Sequence, residues 1–268
     1  MSAKIVHNGV FLLPVQRIAI IGSGNLGVNL AYSLEKAAGL DFAGIYGRKE
    51  RDFRGSDWQV RIQRLDTRLP QADCYFLALP DDSLASFTAS FDFGDSLVVH
   101  HSGAKALSEI ESAKHTAVFY PLQTFSADRI IGLEDVPVFL EATSAPTLRD
   151  LENLAGALGA KTHHANSEQR LRLHLAAVLA NNFSNHLIYL AQNILEGSGL
   201  AGDSLNPLLE ETFSKALKIG AFDAQTGPAR RGDENTIARH LGLLDTPALR
   251  TLYRHLSDSI IETYSNKK

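Results

Sequence analysis

Apolar positions along this chain fall into two regimes. Up to about Ala165 they come as short runs rich in β-branched and aromatic residues: RIAIIGSG, FAGIYGR, CYFLALP, SLVVHHSG, TAVFYPL, VPVFLEA and AKTHHA. Helical spacing lies between them, from about Asn25 to Lys36 and around Ala145 to Leu158. Strands alternating with helices predict a parallel sheet covered by helices on both faces. Beyond residue 165 the spacing becomes helical throughout. SEQRLRLHLAAVLANNFSNHLIYLAQNILEGSG reads as one long helix, with Ser167 as its expected N-cap and Gly197 and Gly199 marking its end. PLLEETFSKALKIG, NTIARHLGLL and ALRTLYRHLSDSIIETY continue the pattern. The expected fold is α/β, a doubly wound and mostly parallel sheet over residues 1–165, followed by an all-α domain over 166–268.

Composition narrows the function classes. The chain has 268 residues, is 44% hydrophobic and 21% charged, and carries a net charge of -4. That balance is ordinary for a water-soluble protein and offers no broad basic surface for nucleic acid. No apolar run approaches a membrane span. The opening MSAKIVHNGVFLLPVQR lacks the apolar core and cleavage site of a signal sequence. Cys74 is the single cysteine, so no internal disulfide and no cysteine-rich zinc site is expected, and a cytoplasmic setting fits.

Gly22-Ser23-Gly24-Asn25-Leu26-Gly27 follows an apolar strand and opens an amphipathic helix. In that context GxGxxG is a phosphate cradle. Gly22 makes the tight turn, Gly24 admits a pyrophosphate to the backbone, and Gly27 lets helix and strand pack closely. The second strand ends in Arg48 and Lys49, where an NAD site usually carries an acid. A guanidinium there suits a 2′-phosphate, so the expected cofactor is NADP. Leu79 and Pro80 fall at the carboxyl edge of the sheet, where their backbone meets the cofactor, while Asp81 and Asp82 are read as caps of the next helix. Ser102 and Gly103 end the following strand and are expected near the nicotinamide. His100 and His101 point to opposite sheet faces, as do His163 and His164, so neither pair is expected to chelate metal. His101 is kept as a substrate-contact candidate.

Together IIGSGNLG, LALPDDSL, HHSGA, FYPLQTFS, SEQRLRLHLAAVLANNFSNHL and AQTGPARRGDENTIARHL resemble a bacterial Rossmann-like family whose helical C-terminal domain has no assigned function. Its members are described as NADP oxidoreductases. More distantly the layout resembles pyrroline-5-carboxylate reductase, ketopantoate reductase and the β-hydroxyacid dehydrogenases. The resemblance implies hydride transfer between NADP and a small carbonyl, imine or hydroxy-acid substrate, with a helical domain that closes over the nicotinamide and pairs two copies as a homodimer.

The β-hydroxyacid dehydrogenases and ketopantoate reductases supply a lysine from the first long helix of the second domain. Here that helix has none; it carries His174, Asn181, Asn182, Asn185 and His186. At 3.6 residues per turn, His174, Asn181 and Asn185 fall within about 40° of one another, with Asn182 and His186 on the adjacent stripe. His174 is the expected proton donor, and Asn181 or Asn182 the holder of a carbonyl oxygen. The plainer reading is a set of buried polar residues bonding between helices. Gln225, Thr226, Arg230 and Arg231 form a polar loop suited to a substrate carboxylate or phosphate, or to ion pairs at a subunit interface. Asp233 is read as orienting an arginine or capping the next helix, and Lys215 ranks below His174 as a donor. Gln123 is expected to border the cleft, whereas the aromatics around Tyr120 are read as core. The missing lysine leaves two further readings open: a non-catalytic dinucleotide sensor or scaffold, and hydride exchange between NADP and a deazaflavin-type carrier.

Overall fold

A computed structural model describes residues 15–265, apart from Ser56 and Glu111. Residues 1–14, where no signal sequence is expected, lie outside the described residues. Among the described residues nine strands form one sheet: β1 (Arg17–Ile21), β2 (Asp41–Gly47), β3 (Arg51–Arg54), β4 (Gln59–Arg64), β5 (Cys74–Leu77), β6 (Leu97–His100), β7 (His115–Pro121), β8 (Pro137–Ala142) and β9 (Lys161–His164). Their spatial order is β3-β4-β2-β1-β5-β6-β7-β8-β9. The direction of winding reverses at β1, which lies between β2 and β5 and pairs parallel with both. Ligands settle in such a crevice, beyond the carboxyl ends of the strands.

The central strands are apolar throughout because both faces are covered. Ile18 and Ile20 of β1 face one core, together with Val28, Leu30 and Leu34 of α1 (Asn25–Lys36) and Leu151 and Leu154 of a later helix (Ala145–Ala157). Ala19 and Ile21 face the other, with Leu77, Val98 and Leu84 of α2 (Leu84–Ala89). The period-two alternation of the strand thus feeds two helix layers. The Ala145–Ala157 helix, α3, starts on Ser144, whose side chain accepts from the Thr147 N–H.

Two features depart from the sequence reading. β3 and β4 form an antiparallel hairpin where no strand was expected, with Arg54 opposite Gln59. Their sequences, RDFR and QVRIQR, are polar because the hairpin lies at the sheet edge and turns only alternate residues such as Phe53 and Ile62 inward. β8 runs antiparallel to β7. The connection between them holds no helix, and a parallel return needs a crossover that such a connection does not supply.

The chain divides into two compact units between Asn185 and His186. The helical sequence begins earlier, at α4 (Ser167–Ala177), whose first turns pack on the sheet unit. Asn166, rather than Ser167, caps this helix, in a reciprocal capping box with Gln169. A π-helical segment follows at Val178–Phe183, then α5 (Ser184–Gly197). The second unit contains α6 (Asn206–Ile219), α7 (Ala221–Ala224), α8 (Pro228–Arg231), α9 (Glu234–Leu243) and α10 (Pro247–Ser265). Asp233 caps α9 by accepting from the Thr236 N–H at 3.0 Å. Among the described residues no helix is long and apolar enough to cross a membrane.

Candidate functional site

The loop after β1 is shaped by contacts that only glycine permits. Gly22 has φ +114°, and a Cβ there would sit 2.0 Å from the Ala78 carbonyl oxygen. A Cβ on Gly27 would lie 2.1 Å from the Gly22 carbonyl oxygen, so Gly27 serves packing and does not line the cleft. Gly24 differs from both: nothing lies within 4 Å of its absent Cβ. The first turn of α1 has no side-chain cap and no acidic residue, so its N–H groups remain available to an anion. An open glycine against an uncapped helix end fits a dinucleotide pyrophosphate.

This loop borders a cleft of about 880 Å³, also lined by Ser23, Asn25, Leu26, Leu79, Pro80 and Ser102. Arg48 and Arg51 both line it, and Arg51 donates to the Ser23 carbonyl at 3.1 Å. Lys49 does not. The chain bends after Gly47, and the unforeseen hairpin brings Arg51 back to the site instead.

The strand-end loop at Ser102 is clamped from several sides. Ser102 Oγ donates to Asp81 at 2.8 Å and accepts from the N–H groups of Ala104 (3.1 Å) and Lys105 (2.9 Å). Asp81 is therefore not a helix cap as expected; neither α2 nor the short turn before it has a side-chain cap. Arg170 of α4, only 1% exposed, donates to the carbonyls of Ser102 (3.1 Å) and Lys105 and forms an ion pair with Glu141. Glu141 also accepts from Ser167 Oγ at 2.9 Å. This network ties α4 to the sheet and holds the backbone that flanks the cleft.

A second cavity, of about 420 Å³, opens beside the first. Leu26 and His101 line both. Its other walls include Tyr120 and Gln123 from the end of β7 and His174, Asn181 and Asn182 from the long helix. Both asparagines line it, whereas Asn185 does not. The π segment explains this: its turns close i→i+5 and hold about one residue more than an α turn, so Asn185 loses the phase expected at 3.6 residues per turn. Gly103 lies against the His174 ring, where a Cβ would approach His174 Cγ to 2.7 Å; it positions that ring and does not line the cleft. A third cavity, about 900 Å³ beside Tyr32 and Lys36, touches neither the glycine loop nor His101.

Tyr120, which the sequence reading placed in the core, lines the small cavity. Its Oη lies 3.0 Å from His174 Nδ1, and burial raises its pKa. The available signal was its place at the carboxyl end of a strand, where site residues gather. His101 Nδ1 lies 2.7 Å from the Phe119 carbonyl oxygen, and burial lowers its pKa to about 4. His100 faces away from both cavities, and burial, with Arg170 nearby, takes its pKa to about 3. His163 stacks on Phe139 and His164 bonds Glu152 at 2.6 Å. Among the described residues no group of three His, Cys, Asp or Glu side chains is placed to hold a metal.

The polar loop expected at the substrate lies in the second unit. There Arg230 sits over the Tyr264 ring at 4.4 Å, Gln225 donates to the Thr226 carbonyl at 2.9 Å, and Arg231 is exposed on α8.

Residues 136–260 match the family model of a domain of unknown function, DUF2520. A crystal structure from Bacteroides fragilis, described as a "putative NADP oxidoreductase", is 35% identical, with a TM-score of 0.82 over 93% of this chain and 99% of that one. Two more distant structures share the fold. Pyrroline carboxylate reductase from Plasmodium falciparum with NADP bound is 11% identical, with a TM-score of 0.55 over 93% of this chain and 97% of that one. An imine reductase from Aspergillus terreus in complex with NADPH4 and dibenz[c,e]azepine is 14% identical, with a TM-score of 0.56 over 94% and 95%. No curated protein matches the chain. With its glycine loop, its winding reversal at β1 and this whole-length likeness, the chain belongs to the Rossmann-type family that carries the DUF2520 region and includes the Bacteroides fragilis protein.

Proposed function

We propose that this chain is an NADPH-dependent oxidoreductase acting on a small carbonyl or imine compound or on the corresponding alcohol or amine. The observation that carries the reading is the shared wall: Leu26 and His101 border both the glycine-loop cleft and a smaller polar cavity. A dinucleotide held at Gly22, Gly24 and the α1 terminus thus has a substrate-sized space beside it. Arg48 and Arg51 supply guanidinium groups for a 2′-phosphate. Bound NADPH supplies a hydride, two electrons without a second proton, and becomes NADP⁺.

The reduced oxygen or nitrogen then needs a proton from the protein. Tyr120 and His174 face the small cavity as a hydrogen-bonded pair, with Tyr120 as donor and His174 as the group that resupplies it. This pair takes the place of the lysine that the long helix lacks. Asn181 and Asn182 offer amides to hold the carbonyl oxygen. In the reverse direction the pair accepts the proton as the hydride leaves the substrate carbon.

The partner we propose is a second copy of the chain, paired through the helices that follow the sheet, in the cytoplasm. Leu171, Leu175, Leu179 and Phe183 recur every fourth residue and are 49%, 60%, 55% and 54% exposed. Leu217 in α6 is 89% exposed. Faces of this kind are normally covered.

Calorimetric titration with NADPH and NADH, followed by NADPH oxidation across a panel of ketones, aldehydes and cyclic imines, tests the reading. Micromolar NADPH binding with turnover of a panel member supports it. Absence of binding by either nucleotide overturns it.

A further inference from the structure

His101 holds an unmet requirement. A carbonyl oxygen only accepts, so the 2.7 Å contact with Phe119 places the ring proton on Nδ1. Nε2 is left with a bare lone pair, is buried, and has no hydrogen-bond partner among the described residues. The ring is only 7% exposed and packs edge-on against Phe76 at 4.9 Å, surroundings that offer it no donor. A buried acceptor without a partner is costly, and a ligand that donates to it removes that cost. His101 lines both the glycine-loop cleft and the small cavity, so a ligand that fills either and reaches the buried Nε2 does so where the proposed substrate sits.

The rest of the cavity limits the ligand's charge. Among the described residues its lining contains no aspartate, glutamate, lysine or arginine, and its polar side chains beyond His101 and the Tyr120–His174 pair are amides and a hydroxyl. A carboxylate or ammonium entering it would lose hydration without a carboxylate, ammonium or guanidinium of the lining to pair with. We infer that the small cavity selects an uncharged carbonyl or imine compound bearing its own N–H or O–H group, which donates to His101 Nε2. This rests on the oxidoreductase reading for what the cavity does, and adds the class of substrate it takes.

Three three-carbon ketones separate the chemistries: hydroxyacetone is neutral with a donor, acetone is neutral without one, and pyruvate is anionic. The full-length protein, labelled with ¹⁵N at histidine and saturated with NADP⁺, is titrated with each while the His101 Nε2 resonance is followed. Hydroxyacetone moves the resonance and binds about tenfold or more tightly than acetone or pyruvate. His101→Asn keeps a donor toward the Phe119 carbonyl but removes the Nε2 acceptor, and abolishes the preference. His101→Gln returns an acceptor near that position and restores part of it. The wild-type comparison decides alone if a variant fails to fold. Equal binding of acetone, tighter binding of pyruvate, no movement with any probe, or movement with NADP⁺ alone each overturns the inference. NADPH oxidation with the same compounds tests the underlying reading separately. Hydroxyacetone bound at His101 but never reduced by any probe-bound form sinks turnover and leaves the selectivity standing, whereas reduction of pyruvate in preference does the opposite.

Discussion

Tyr120 Oη and His174 Nδ1 lie 3.0 Å apart, joining the end of β7 to the second turn of α4. The two rings meet edge to face, with centroids 6.0 Å apart, so the hydrogen bond is held by packing on both sides. Tyr120→Phe keeps the ring and removes the donor. Its kcat is expected to fall about 10²–10⁴-fold, with NADPH affinity unchanged. His174→Ala is expected to fall comparably, and the double variant by little more than either, because the two act as one unit. Unchanged kcat in Tyr120→Phe would remove the pair from the mechanism.

Gly103 is the seat of the His174 ring. A Cβ at this position would lie 2.7–2.8 Å from His174 Cγ, Nδ1 and Cβ, atoms too near the backbone to swing clear. Gly103→Ala should cost about 1–3 kcal/mol of stability and displace the ring. Adding His174→Ala removes the contacts with Cγ and Nδ1 but keeps the one with Cβ, so it should recover only part of the stability, and none of the rate. Thermal melts of the single and double variants check this.

Arg48 and Arg51 line the glycine-loop cleft from a bend and from a hairpin strand. Each change to alanine should weaken NADPH binding about tenfold and leave NADH binding nearly unaltered. Arg51→Ala also loses the contact to the Ser23 carbonyl, so its NADH affinity should fall slightly more than that of Arg48→Ala. Titration calorimetry with both nucleotides distinguishes the two.

Arg170 and Glu141 form an ion pair whose arginine is almost fully buried. Arg170→Met leaves Glu141 with its Ser167 hydrogen bonds but no counter-charge, and frees the carbonyls of Ser102 and Lys105. The expected cost is about 3–5 kcal/mol. That corresponds to a fall in Tm of roughly 6–20 °C. Adding Glu141→Gln should restore part of it, since the uncompensated charge is then gone.

The buried histidines make stability fall on the acid side. Above pH 6.5, His100 and His101 are neutral whether the chain is folded or not. Below it the unfolded imidazoles take up protons that the folded ones refuse until about pH 4 for His101 and about pH 3 for His100. Stability should therefore decline as pH drops through this window, by up to about 1.4 kcal/mol per pH unit for each histidine. Urea midpoints between pH 7 and pH 4 should show the slope, and His101→Asn should reduce it.

Local pattern was enough for the strands, the glycine loop and the onset of the helical region. Buried parallel strands announce themselves as apolar runs, and GxGxxG needs only its own neighbours to form. The edge hairpin β3–β4 stayed hidden because most of its residues face water, and Arg51 stayed hidden with it. The direction of β8 depends on what its connection lacks. Asn185 was misphased because a π turn leaves no mark in residue spacing.

The sequence by itself therefore determined a Rossmann-type unit with a glycine loop after its first strand, followed by helices, and it named His101, His174, Asn181 and Asn182 as candidates. Only the tertiary structure decided that these residues share one cavity with Tyr120, a partner 54 residues away from His174 in the chain. It also decided that Arg170 spends its charge on Glu141 and on the Ser102 backbone. Periodicity reports which face of an element is buried. Which residues meet across elements depends on strand register and helix phase, and those are set by packing of the whole core.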